Sequence, residues 1–211
     1  MHNNKEDKII LERIIVSDFL TNCYILGCKE ENLCGIIDPG SEGEKINKLI
    51  DDLKLKPILI INTHGHFDHI GANDLFNLSV YIHKDDLEFL KDPEKNLSSF
   101  FSLPYICKNH TFPIEEKNII KIGKIKIEII HTPGHTPGSV CLKIGDILFT
   151  GDTIFAEGIG RTDFPQGDEE VLIKSIKEKL ITLPDNTIIY PGHGEPSNLR
   201  DFKRWFYKWN L

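Results

Sequence analysis

The chain has 211 residues, of which 40% are hydrophobic and 27% charged, with a formal net charge of −7. That balance is ordinary for a globular protein and supplies no basic face of the kind that wraps nucleic acid. No apolar run approaches the roughly 20 residues needed to span a bilayer, so neither nucleic acid nor a membrane is an expected partner.

Met1 to Lys8 is polar and has no apolar h-region, so a secretory leader is not expected and the reading is cytoplasmic. Lys8–Val16 and Cys23–Gly27 are rich in branched and aromatic residues and read as strands. Gly35–Asp38 is a third strand, ending in the turn signal Asp38-Pro39-Gly40. Ser41 and Glu44 have capping-box spacing. Ile46, Leu49, Ile50 and Leu53 then recur at helical intervals. Pro57 opens a buried strand, Ile58–Ile61, which runs into Asn62-Thr63-His64-Gly65-His66-Phe67-Asp68-His69. A strand at Val80–His83 and a helix at Lys84–Leu90 follow. Residues 91–117, with Pro93, Pro104 and Pro113, read as an irregular insertion or a lid. Ile125, Ile127 and Ile129 alternate with Lys124, Lys126 and Glu128, a strand with one dry face. Val140–Ile144, Ile147–Phe149 and Thr187–Tyr190 are further strands. Leu172, Ile173, Ile176 and Leu180 mark a helical stripe, and Asn198–Leu211 a last short helix carrying Trp205, Phe206 and Trp209. No linker or repeat interrupts the pattern, so residues 1–211 are expected to form one domain of two strand-and-helix halves, sheets together and helices outside.

Five cysteines, Cys23, Cys28, Cys34, Cys107 and Cys141, are odd in number and form no CxxC pair; they read as reduced thiols rather than ligands. The chemistry lies elsewhere. His64-x-His66-x-Asp68-His69 places four metal-competent side chains within six residues after a buried strand. In an extended segment the alternate positions His64, His66 and Asp68 point to one side, with His69 turned to a neighbouring point. Imidazole and carboxylate suit zinc, iron or manganese. His135, in His131-Thr-Pro-Gly-His135-Thr-Pro-Gly-Ser139, Asp152, in Thr150-Gly-Asp-Thr153, and His193, in Pro191-Gly-His-Gly194, each follow a strand beside glycine, where backbone approaches an ion closely. Seven ligands exceed what one tetrahedral ion needs and suffice for two. His2, His83 and His110 lie outside these motifs, and His131 reads as supporting or structural.

This order of motifs resembles the metallo-β-lactamase superfamily over nearly the whole chain, including the Asp38-Pro39-Gly40 loop. The resemblance implies an α/β fold, the αββα sandwich: two mixed β-sheets packed face to face with helices outside. It implies two divalent ions, zinc foremost with iron or manganese as alternatives. His64, His66 and His135 would hold the first ion, Asp68, His69 and His193 the second, and Asp152 would bridge them. Asp38 resembles the family's acid beside the site. His66 stands where flavodiiron oxygen reductases carry Glu. Gly160-Arg161-Thr162-Asp163-Phe164 resembles both short glyoxalase II-like hydrolases and persulfide dioxygenases, and His83 to Ser98 resembles bacterial hydroxyacylglutathione hydrolases. The implied activity is hydrolysis of a small acyl-thiol, with Asp68 catalytic in orienting the attacking water. Full-length glyoxalase II enzymes carry an extra C-terminal helical domain that helps grip glutathione; this chain stops soon after Pro191-Gly-His-Gly194, so a weak glutathione grip is expected. The competing readings are a mononuclear iron persulfide dioxygenase on His64, His135 and Asp152, a phosphodiesterase of the same superfamily, and a catalytically silent module. The sequence sets no oligomeric state.

Overall fold

A computed structural model describes residues 9–209. His2, the Met1–Lys8 segment and the last two positions of the C-terminal helix expected at Asn198–Leu211 lie outside the described residues. The chain opens with β1 (Ile9–Val16), β2 (Thr21–Cys28) and β3 (Leu33–Ile37), then α1 (Gly43–Asp52) and β4 (Lys56–Ile61). A short helix α2 (Phe67–Ile70), β5 (Val80–His83) and β6 (Thr111–Ile114) complete a six-stranded sheet in chain order. The second half supplies β7 (Ile119–Ile122), β8 (Ile125–His131), β9 (Val140–Ile144), β10 (Ile147–Gly151), the small hairpin β11 (Ile154–Phe155) and β12 (Gly158–Ile159), helix α3 (Glu169–Ser175), β13 (Ile188–Pro191), β14 (Ser197–Asn198) and α4 (Leu199–Lys208). The second sheet has the order β14-β13-β10-β9-β8-β7.

The alternation of side chains along strands builds the layers. Tyr24 and Leu26 on β2, Leu59 and Ile61 on β4, Ile127 and Ile129 on β8, and Leu142 and Phe149 on β9 and β10 meet in one core between the sheets. Their neighbours Ile25 and Ile60 face the other way and pack on Ile46 and Ile50 of α1. Leu148 and Ile189 likewise face out, against Leu172 of α3 and Phe202 and Phe206 of α4. Helices thus cover both outer faces, giving the expected αββα sandwich. β8 has the predicted dry face, with Ile125, Ile127 and Ile129 buried and the intervening Lys126 and Glu128 exposed. All five cysteines are free; Cys28 lies in the central core, Cys23 and Cys34 in the outer layer under α1, so these three do not converge.

Three local readings are corrected, and one strand, β7, is an addition. Ser41 does not cap α1: Glu42 occupies the cap in a left-handed conformation (φ 51°) with no side-chain cap bond, and its carboxylate instead accepts from the Ser17 amide. The helix expected over Lys84–Leu90 is one tight turn, Lys84–Asp86, followed by irregular turns. The 91–117 insertion contains β6, an edge strand in which Pro113 costs no central ladder bond. The strand β7, also at an edge, was not read at all. The rest of the insertion is tied down by Asn96, whose side-chain amide donates to Phe89 and Tyr105 carbonyls and whose own carbonyl accepts from the Phe67 amide.

Strand direction decides where the chemistry collects. β3 and β4 run parallel, as do β10 and β13, and β8 is antiparallel to β9, itself antiparallel to β10. The carboxyl ends of β10, β13 and β8 therefore share one edge. Hydrogen bonds from the Val140 amide to the Thr63 carbonyl (2.8 Å) and from the Asn22 amide to the Gly192 carbonyl (2.7 Å) join the two sheets along it.

Candidate metal centre

All seven predicted side chains meet at this edge. His64 follows β4 directly, but the extended-segment argument holds only as far as His66, which caps α2 with φ −69° and ψ 145°. Asp68 and His69 lie within the helix, so a helical turn, not strand alternation, brings them round. His66 Nδ1 lies 2.9 Å from His135 Nε2, which is 3.3 Å from His64 Nε2. A second group is set beside it: His69 Nε2 and His193 Nε2 are 3.3 Å apart, and Asp68 Oδ2 is 3.3 Å from His193 Nε2 and 3.6 Å from His69 Nε2. Asp152 lies between the groups, Oδ2 3.7 Å from His135 and 3.5 Å from His193, Oδ1 3.5 Å from His69. Two nitrogens each about 2.05 Å from one tetrahedral ion would be about 3.3 Å apart, which is the spacing of these donors.

The outward nitrogen of each ring shows which way its lone pair points. His135 Nδ1 faces the Arg161 carbonyl at 2.7 Å, and His193 Nδ1 faces the Phe19 carbonyl at 3.1 Å. A carbonyl only accepts, so both Nδ1 atoms carry the proton and both Nε2 lone pairs face inward. His69 Nδ1 faces the Asp38 carboxylate at 3.0 Å with the same result. Thr63 Oγ1 donates to Asp38 Oδ2 at 2.6 Å and so accepts from His64 Nδ1 at 3.2 Å. Four Nε2 atoms aimed inward and a buried Asp152 Oδ1 without a hydrogen-bond partner form a pocket built for cations.

Electrostatics agree. Burial and the neighbouring imidazoles hold His64 well below the ordinary histidine range. Burial and His135 do the same to His66, and burial lowers His135. These three are neutral donors at neutral pH. Burial opposes the charged form of His69, yet the carboxylates of Asp68, Asp152 and Asp38 push it up to about 10. Asp68 is buried, but His69 and His193 hold its carboxyl well below the usual carboxylate range. Asp68 and His69 thus form a charged pair, whereas the three imidazoles of the first group carry no charge of their own.

Asp38 is a particular case. It sits in the left-handed region (φ 52°), 2% exposed, and accepts from the Thr63 amide at 2.7 Å besides its bonds to Thr63 Oγ1 and His69. Asp tolerates that backbone better than most residues, and strain of this kind gathers at functional sites. Gly192 is required by close approach: a Cβ there would strike Asp152 Oδ1 and lie 2.7 Å from His69 Cε1.

Several contributors escaped the sequence reading. Thr21 Oγ1 donates to Asp68 Oδ2 at 3.3 Å. Asp86, fully buried, accepts from the loops on both sides of the first group. Aromatic rings stand beside the centre: Phe164 is edge-on to His66 with centroids 5.6 Å apart, and Phe19 meets Phe67 and Phe101 edge to face at 5.1 and 4.9 Å, those two rings being tilted 36° to each other at 5.0 Å. His131, read as supporting or structural, donates from Nε2 to the Pro137 carbonyl at 2.8 Å and stacks on His83 at 3.8 Å, 16° from parallel. With Asp85 these two form a further His/Asp group, but stacked rings aim their in-plane lone pairs in parallel and do not converge on one ion.

The comparisons with known proteins follow the same lines. The sequence model described as "Metallo-beta-lactamase superfamily" matches residues 16–193. The chain is 39% identical to the probable metallo-hydrolase YqgX of Bacillus subtilis (89% of this chain, 91% of that one) and 38% identical to hydroxyacylglutathione hydrolase GloC of Haemophilus influenzae (92% and 95%). It is 31% identical to the mitochondrial persulfide dioxygenase ETHE1 of Bos taurus, covering 91% of this chain and 71% of that one. Among solved structures, the B3 metallo-beta-lactamase BLEG-1 aligns with a TM-score of 0.84 at 35% identity, over 91% of this chain and 95% of that one.

Proposed function

Because the chain belongs to the metallo-β-lactamase superfamily, we propose that it is a binuclear metal-dependent hydrolase that cleaves a small acyl-thiol, such as a hydroxyacyl-glutathione thioester. His64, His66 and His135 hold one divalent ion, Asp68, His69 and His193 the other, and Asp152 faces both; zinc suits this donor set best, with iron or manganese as alternatives. Cations held there supply Lewis acidity, which lowers the pKa of a water and polarises an acyl carbonyl.

The residues do the rest. Asp152 and Asp68 place negative charge between and beside the cations, so the centre is not left underneutralised. Thr21 holds Asp68 Oδ2 in place, leaving the carboxylate's second oxygen to orient a water at the edge of the centre. His64, His66 and His135 are neutral and bring no competing proton. Phe164 walls one side and the Phe19–Phe67–Phe101 cluster another, keeping bulk water from an acyl group. A thiolate leaves without a dedicated acid, since its free-thiol pKa is about 8.5. Among the described residues, Arg161 is engaged by Asp163 at 2.8–2.9 Å while lying over Phe164 at 4.0 Å, so it adds a flat face to the rim rather than a free charge.

The observation that carries this reading is the complete second group, Asp68, His69 and His193, at 3.3–3.6 Å. A mononuclear iron dioxygenase, the reading that the ETHE1 relative favours, leaves that group without a task. The test is exhaustive chelation, followed by reloading with zinc, manganese or ferrous iron, with thioester cleavage and oxygen uptake on glutathione persulfide measured side by side. Cleavage is expected to vanish on chelation, to return on reloading, and to fall at least a hundredfold in His193→Ala. Rapid oxygen uptake by the iron-loaded protein, indifferent to His193→Ala, would overturn the hydrolase.

A further inference from the structure

The two groups of donors are anchored by different acids. Asp38 and Thr21 bond directly to His69 and Asp68, and Asp38 reaches His64 only through Thr63. Asp86 serves the other. It ends the tight turn after β5, has no exposed surface, and accepts three short hydrogen bonds: from the Gly65 amide to Oδ2 at 2.8 Å, from Thr136 Oγ1 to Oδ2 at 2.7 Å, and from the Gly138 amide to Oδ1 at 2.6 Å. Gly65 lies between His64 and His66, on the loop after β4; Thr136 follows His135, on the loop after β8. One carboxylate therefore ties together two loops from different sheets, at the point where His66 Nδ1 comes within 2.9 Å of His135 Nε2. The second loop is shaped around it, since a Cβ on Gly138 would lie 2.6 Å from Asp86 Cγ and Oδ1. Burial raises Asp86 to about 6, and the bonds from Thr136, Gly138 and Gly65 hold it there, ionised at neutral pH. Charge-assisted bonds of this kind are about twice as strong as neutral ones. Among the described residues, the Asp86 carboxylate bonds to Gly65, Thr136 and Gly138 and not to Asp68, His69 or His193.

We propose that Asp86 is a positioning residue that sets the metal affinity of the His64–His66–His135 group and not that of the Asp68–His69–His193 group. The inference rests on the two-metal reading, and its test separates the two. Metal-free full-length protein is titrated with Co2+, read by its visible absorption, in two backgrounds. In His193→Ala only the His64–His66–His135 group is intact; in His66→Ala only the other is. Asp86→Asn is expected to weaken Co2+ binding about 10- to 100-fold in the first background, the range for losing a ligand's supporting partner, and less than about threefold in the second. Thr136→Val removes one of the three donors and keeps the charge; it is expected to act in the same direction by about fivefold, and it carries the test if Asp86→Asn does not fold. Equal weakening in both backgrounds, or none in either, overturns the proposal. A wild type that takes up only one Co2+ overturns the two-metal reading instead, and the His193→Ala comparison still decides the role of Asp86.

Discussion

His83 is 2% exposed, its Nδ1 accepts from the Asp85 amide, and its ring lies flat on His131. Burial and His131, with Lys84, outweigh Asp85 and Glu115 and push it down to about 4, against about 6.5 in an unfolded chain. The neutral ring therefore stabilises the fold fully above pH 6.5, and that contribution is lost as pH falls toward 4. At pH 4.5 the loss is about 2.5 kcal/mol. His83→Asn keeps the cap acceptor but does not titrate, so between pH 7 and 4.5 the wild type should lose about that much more stability than the variant in urea unfolding. Parallel losses would show that His83 is not neutral in the fold. Gly192 gives a second prediction at this scale. Gly192→Ala must displace Asp152 or His69, and a misplacement of about 1 Å costs on the order of a hundredfold in rate. Metal per chain and turnover should both fall; an unchanged metal content would mean that the loop yields freely.

At the scale of elements, what was legible depended on how local the signal is. The His64–His69 motif was legible because four donors follow one buried strand within six residues, and α3 with the π-helical turn Ile176–Leu180 that continues it because Leu172, Ile176 and Leu180 repeat along one face. The turn of α2 was not, since four residues are too few to show a period. β6 and β7 lie at sheet edges, where Pro113 and the exposed Ile119 blur the strand pattern. Ser41 and Glu44 had capping spacing, but the tertiary bond from Ser17 to Glu42 took precedence over the local one. Asp86 had no signal at all: in His83-Lys-Asp-Asp it reads as surface charge, and only pairing across the sheets buries it. Thr21 and the Phe19 carbonyl are likewise brought in by the long-range contact of Thr21 with His193.

For the whole molecule, the centre joins the sheets as well as performing chemistry. His64, His66, Asp68 and His69 come from the first half, His135, Asp152 and His193 from the second. Metal that binds only the folded chain stabilises it by about 2.7 kcal/mol at a free concentration one hundred times its dissociation constant. For a chain of this size that corresponds to roughly 5–10 °C in the unfolding midpoint. Chelation should lower the midpoint by this amount and reloading restore it; a midpoint indifferent to metal would show that the core alone fixes the sheets against each other.

The main-chain oxygens of Arg161 and Phe19 hold His135 and His193, while their side chains turn elsewhere, Arg161 over Phe164 and Phe19 against Phe67 and Phe101, to form the rim beside the donors. Orientation of the donors is thus written in the backbone, and the lining of the mouth in the side chains. Mutation can rewrite the second without erasing the first. A lineage built on this plan is free to remodel its mouth while its donors stay in place, and relatives named hydroxyacylglutathione hydrolase, persulfide dioxygenase and metallo-beta-lactamase are the divergence such a separation permits.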